Sequence, residues 1–167
     1  MRWLLCLSLH MIVESSTLLS EFPLLMAHDA ATSYLSLSGE LAWWTAAQPR
    51  GGFGTLLDCG ARALDVRTRI GRSGRVIMHH GPIEVDTDLS VALSDTIKWY
   101  ESHMVKEVVV LYISHEGDPV SKVIKETESV FRNANISFFA NCEEMKTLTV
   151  EKAVSLGGII GLFNCVE

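Results

Sequence analysis

Apolar and polar residues alternate along two short stretches of the chain and recur every three or four residues in several longer ones. This pattern predicts strands and helices in turn. Phe22 to Ala27 is a short apolar run and reads as a strand. Trp43 and Trp44 fall in a loop or short helix that ends in the turn Pro49-Arg50-Gly51-Gly52. Phe53 to Cys59 reads as one or two helical turns closed by Gly60. Arg62 to Ile70 alternates with period two, as a strand does. Gly71-Arg72-Ser73-Gly74 makes a tight turn, and Val76 to His80 is a second strand, ended by Gly81-Pro82.

From there the period lengthens. Leu89, Ala92, Leu93, Ile97, Tyr100 and Met104 share one helical face, with Thr87 as its N-cap. Glu107 to Ile113 is almost continuously apolar, as expected of a parallel strand covered on both faces. Asp118-Pro119 supplies an N-cap and a first-turn proline for a helix whose buried stripe is Val120, Val123, Ile124, Thr127, Phe131 and Ala134. Ile136 to Ala140 reads as a short strand, Val150 to Leu156 as a helix closed by Gly157-Gly158, and Ile159 to Phe163 as a last strand. Strands and helices in alternation predict an α/β domain with a largely parallel sheet, either open or part of a barrel.

Composition narrows this. The chain has 167 residues, enough for about one domain, and its 48 % apolar content suits a packed core. Lys plus Arg number 14 and Asp plus Glu 20, so the net charge of 14 − 20 = −6 gives no support to nucleic-acid binding. Cys6, Cys59, Cys142 and Cys165 form no CxxC pair, which excludes a zinc ribbon or thioredoxin-like site. Met1-Arg2 followed by the mostly apolar Trp3 to Val13 resembles a secretory signal, interrupted by His10 and without a clean cleavage site. Residues 1–20 are therefore read as a signal peptide or an N-terminal helix, and the chain as secreted or, failing that, cytoplasmic. Asn135-Ile136-Ser137 is a sequon that matters only after export.

Three clusters can carry chemistry, and all are read at strand ends: His28-Asp29, Asp65-Val66-Arg67 and His79-His80-Gly81-Pro82. Period two points Leu64 and Val66 one way and Asp65 and Arg67 the other. A charged pair facing a sheet interior must be paired or wet, and an arginine fork can hold a phosphate. Of His79 and His80, only one can join that polar face. Two histidines, two aspartates and an arginine suffice for phosphodiester cleavage. One imidazole takes a proton from a hydroxyl, the other protonates the leaving oxygen, and the arginine offsets phosphoryl charge. The plainer readings are a structural His-Asp pair, an ion pair on a strand and a surface double histidine. A zinc or manganese site on His28, Asp29, Asp65 and His80 is chemically feasible, although Arg67 would repel a divalent ion.

Four blocks, in order, resemble the catalytic X region of phosphatidylinositol-specific phospholipase C. They are Leu24 to Ala31, Leu56 to Arg67, Met78 to Pro82 and Glu107 to Ser114. The resemblance implies that residues 21–167 form the N-terminal half of a TIM-type β/α barrel of the phospholipase C-like phosphodiesterases. It implies His28 as general base, His80 as general acid, Asp29 behind the acid histidine, Arg67 on the phosphate and Asp65 assisting. It implies a phospholipid or inositol-phosphate-type substrate and transient contact with a membrane surface. Asp29 and Arg67 stand where calcium-dependent relatives carry an asparagine and an acid, so the pattern is that of metal-independent, bacterial-type members, with no cofactor and no metal.

Two departures stand out. The partner carboxylate of the first histidine is expected from the half of the barrel beyond this chain. Where bacterial members carry a substrate-contacting lysine, this sequence reads Ser114-His115-Glu116. A catalytically inactive half-barrel that binds phosphorylated head groups or a partner chain is the alternative. A glycerophosphodiesterase would need a His-Arg block and a glutamate pair that are absent near the first strand.

Overall fold

A computed structural model describes residues 17–35, 47–103, 107–115 and 120–163. The signal-like segment 1–16, Trp43, Trp44, Met104, Asp118-Pro119 and Cys165 lie outside the described residues. Among the described residues there are seven strands: β1 (Met26–Ala27), β2 (Ala63–Ile70), β3 (Val76–His80), β4 (Ile83–Glu84), β5 (Val109–His115), β6 (Ser137–Phe139) and β7 (Ile159–Phe163). The helices are α1 (Gly52–Asp58), α2 (Leu89–Ser102), α3 (Val120–Asn133), α4 (Cys142–Lys146) and α5 (Val150–Ser155), with 3-10 turns at Leu19–Glu21 and Ala30–Tyr34.

The strands form one sheet in the order β4-β3-β2-β5-β7-β6, with β1 also on β2. β1, β2, β5, β7 and β6 run parallel to their neighbours, while β3 runs antiparallel to β2 and β4. One edge of β2 belongs to β5 along Ala63 to Thr68. The other edge is divided. β1 pairs there with Ala63 and Leu64, and β3 with Thr68, Arg69 and Ile70. The C-terminal ends of β1 and β3 thus approach one another along the stretch Asp65–Arg67, which neither strand covers.

The two faces of the sheet are buried differently. Leu64, Val66, Leu111, Ile113, Ile159 and Phe163 pack against Leu93, Phe53 and Phe131 of the helices. On α3 the buried residues Val123, Thr127 and Phe131 recur every four positions and fix its inward stripe, with Ile124 and Ala134 partly buried beside it, whereas Val120, expected in that stripe, is exposed at the first turn. Phe131 seats against β7 because position 161 is glycine. A Cβ there would lie 2.5 Å from the Phe131 ring and 2.7 Å from that of Phe138. The opposite face is apolar at one end, where Ala63, Val110, Ile160 and Leu162 meet Leu19, Leu148 and Ala153. Further along the strands, Asp65 is registered with Tyr112 and Arg67 with Ser114.

Several expected boundaries move. The strand read over Phe22–Ala27 contracts to Met26–Ala27, because Phe22 closes a 3-10 turn and Pro23 has no N–H to donate. α2 starts after Asp88 rather than Thr87, and no side chain caps it. α4 was not anticipated. Asn141 caps it by accepting from the Glu143 N–H at 2.9 Å. Cys142, at its start, is disulfide-bonded. Asn135 of the sequon is exposed and left-handed, with φ 58°.

Candidate active site

The divided edge of β2 is where the chemistry-bearing residues collect. β1 ends at Ala27, and the chain turns at once through His28 into Asp29, whose φ of 52° is left-handed. A non-glycine residue holds that conformation only when its surroundings fix it. Here the Asp29 N–H donates to Asp65 Oδ2 at 3.0 Å, and the Thr32 hydroxyl donates to the Asp29 carbonyl at 2.8 Å. The turn aims the Asp29 carboxylate, 6 % exposed, into the gap between β1 and β3.

Three side chains meet it there, and a fourth contact joins His28 to Asp65. Arg67 Nε lies 2.8 Å from Asp29 Oδ1. His80 Nε2 and His28 Nε2 each lie 3.1 Å from Asp29 Oδ2. His28 Nδ1 lies 2.9 Å from Asp65 Oδ2. The His28 ring is 69 % exposed, whereas Arg67 and His80 are half-buried. Two nearly buried carboxylates are tolerable because a guanidinium and two imidazoles face them. All five residues singled out in the sequence therefore converge.

Three details differ from the sequence reading. Asp65 and Arg67 are mid-strand, not at a strand end, and they are reached because β1 and β3 leave that part of the edge open. β3 belongs to an antiparallel hairpin, not to the parallel set. Strict alternation would also place His80 with Val76 and Met78, which line the core. Pairing to β2 ends at Met78, however, and His79 and His80 pair with Glu84 and Ile83 instead. From there His80 reaches Asp29, while His79 is buried at 1 % exposure with Nδ1 3.0 Å from the Gly81 carbonyl.

The partner of the first histidine was sought outside this chain, yet Asp65 sits on His28 Nδ1. The spacing Asp65-x-Arg67 signalled a pair without saying which histidine it would meet. Gln48 escaped the sequence reading altogether. Its side-chain amide donates to the His28 carbonyl at 2.6 Å, and no local pattern marks a loop glutamine for that task. Beside the cluster, burial pushes the Tyr112 hydroxyl above its ordinary pKa, and the charge of Asp65 adds to the effect.

His28, Asp29 and Asp65 bring one ligand atom each within 4.8 Å of one another, close enough for a metal ion. The donor set suits calcium poorly. A calcium ion takes six to eight oxygens, whereas this trio offers two carboxylates and a nitrogen. One of those carboxylates already faces the Arg67 cation.

No family model matches the chain. Over 78 residues it is 32 % identical to a 1-phosphatidylinositol phosphodiesterase of Staphylococcus aureus (strain Newman), a match covering 47 % of this chain and 25 % of that protein. Among solved structures, the phosphatidylinositol-specific phospholipase C of Listeria monocytogenes superposes with a TM-score of 0.67 at 17 % identity, over 91 % of this chain and 54 % of that one. The fold is that of a phosphatidylinositol-specific phospholipase C. A Staphylococcus aureus phosphatidylinositol-specific phospholipase C gives 0.64 at 20 % identity, over 91 % of this chain and 50 % of that one. A calcium-dependent phosphoinositol-specific phospholipase C from a Pseudomonas species gives 0.60 at 17 %, over 92 % and 60 %. The chain thus spans about half the length of these TIM-barrel phospholipases C, and the sheet corresponds to about half of such a barrel. Both calcium-dependent and other members of the phospholipase C fold are among the neighbours, so the fold alone does not assign a metal requirement.

Proposed function

We propose that this chain carries the acid–base half of a phosphoric diester hydrolase acting on a phosphoinositide-like lipid head group, without a metal. The observation that carries the reading is the single carboxylate of Asp29 set against His28, His80 and Arg67 together. Asp65 holds His28 Nδ1, which leaves the exposed Nε2 to exchange its Asp29 contact for a substrate hydroxyl and take its proton. The freed oxygen attacks phosphorus and forms one P–O bond as the bond to the lipid oxygen breaks. His80, whose imidazolium Asp29 stabilises, delivers a proton to the leaving oxygen. Arg67 then steadies the charge on the phosphoryl oxygens.

Substrate access requires transient contact with a membrane surface. Export to an oxidising compartment belongs to the same reading and is supported by the disulfide at Cys142. The test is hydrolysis of phosphatidylinositol in mixed micelles, by this chain and by any longer natural chain that contains it, in excess EDTA. Retained turnover supports the arginine-based reading. Turnover lost to EDTA and restored by calcium overturns the metal-independent part. Binding of inositol phosphate without turnover from either chain would replace the hydrolase with a binding module.

A further inference from the structure

The Asp29 turn is held by more than its charged partners. The Thr32 hydroxyl donates to the Asp29 carbonyl at 2.8 Å and accepts from the Gln48 N–H at 3.1 Å. The Thr32 N–H donates to the same Asp29 carbonyl at 2.9 Å. The Gln48 side-chain amide closes the loop by donating to the His28 carbonyl at 2.6 Å. Three residues on, the Gly51 N–H donates to the Ser33 carbonyl at 3.1 Å and ties the same two segments again. Thr32 is 1 % exposed, so its hydroxyl has no water to exchange these bonds with.

We propose that Thr32 and Gln48 are positioning residues that lock the left-handed Asp29 turn and so hold one carboxylate against both imidazoles and Arg67. The argument is geometric. Asp29 contributes a carboxylate on a backbone that a non-glycine residue visits reluctantly, and its carbonyl and that of His28 are the two groups the bracket grips. If that turn relaxed to an extended conformation, Asp29 would swing away from His80, and Arg67 would lose the acid that fixes its fork. Gln48 reports to this turn from a loop distant in sequence, which couples the stretch before α1 to the acid–base pair. The proposal extends the hydrolase reading and rests on it for its kinetic consequence, but the bracket itself can be read without turnover.

Two measurements separate these. Amide hydrogen exchange at Asp29 reads the bracket directly, since that N–H is bonded to Asp65. Thr32→Val keeps the side-chain volume but removes the hydroxyl, and Gln48→Ala removes the amide. Each is expected to speed exchange at Asp29 by about tenfold, the loss of about one buried hydrogen bond. Rates along β2 and β5 stay unchanged, and Thr32→Ser restores slow exchange. In a preparation that cleaves phosphatidylinositol, both variants lower kcat with KM unchanged, again rescued by Thr32→Ser. Unchanged Asp29 exchange in Thr32→Val overturns the bracket, as does equal acceleration across β2 and β5, which would mark a merely structural residue. Altered exchange in a chain that never cleaves the diester leaves the bracket standing and faults the hydrolase reading instead.

Discussion

β2 is one eight-residue strand with two unlike faces. Leu64 and Val66 look toward the helices and are fully buried in a cluster where shape and volume decide. Asp65 and Arg67, the residues between and beyond them, look the other way into a cluster held by specific ion pairs. Asp65 is nearly as buried as its neighbours, at 6 % exposure. The offset for that burial differs. On one face it is dispersion and apolar area, which tolerate volume-conserving exchange. On the other it is ion pairing, which tolerates almost none. One strand thus separates stability from chemistry by alternation alone.

That separation can be attacked from either side. The largest expected effect is on the polar face. His28→Ala or His80→Ala should lower diester cleavage per folded molecule by about a hundred- to ten-thousandfold, and each also removes one of the imidazoles that face the buried carboxylates. His79→Ala should lower the melting temperature with cleavage per folded molecule nearly unchanged, and a greater rate loss there than at His80 would sink the assignment of roles. On the apolar face, Phe131→Ala should cost about 3–5 kcal/mol in urea unfolding, with cleavage per folded molecule unaltered. A specific-activity loss in Phe131→Ala would show that the faces are coupled.

Arg67→Lys keeps the charge and removes the fork. Losing one oriented donor at a phosphoryl site should reduce the rate by about a hundred- to a thousandfold, or 3–4 kcal/mol. A rate within threefold of the parent would mean that charge alone matters there.

The smallest effect concerns the scaffold behind the site. Tyr34 donates to Asp95 Oδ2 at 2.8 Å and accepts from the Phe53 N–H at 3.0 Å, so Tyr34→Phe should cost about 1–3 kcal/mol. Burial raises the Tyr34 hydroxyl well above its ordinary value of 10, with smaller contributions from Asp95. The folded chain keeps this proton where the unfolded chain loses it. The resulting stability is full below pH 10 and is lost as pH climbs above it. Tyr34→Phe should flatten that alkaline decline, visible as a weaker dependence of unfolding free energy on pH between about 10 and 11.

Most strands and helices were legible because burial imposes a period. β3, β7 and, apart from the exposed Val120, the stripe of α3 follow the apolar pattern, and the convergence of His28, Asp29, Asp65, Arg67 and His80 could be anticipated from residue type and order. What stayed hidden depends on contacts across the fold. That β1 and β3 divide one edge of β2 is a fact of pairing, which no local pattern carries. That Asp65 serves His28, and Gln48 its carbonyl, follows from where the turn lands. α4 was missed because none of its residues is buried, so it has no apolar stripe to announce it.

The turn between β2 and β3 does more than reverse the chain. It runs from Gly71 to Arg75, with the Gly71 N–H bonded to the Arg75 carbonyl at 2.9 Å, and its length sets which residue of β3 stands at the gap in β2. A strand slipped by one residue turns over every side chain it carries. Deleting a single residue from this turn would therefore draw a different side chain to the gap without touching either histidine codon. The same slip would turn Val76 and Met78 out of the core, so the length of this five-residue surface loop fixes the packing of β3 and the imidazole it presents at once.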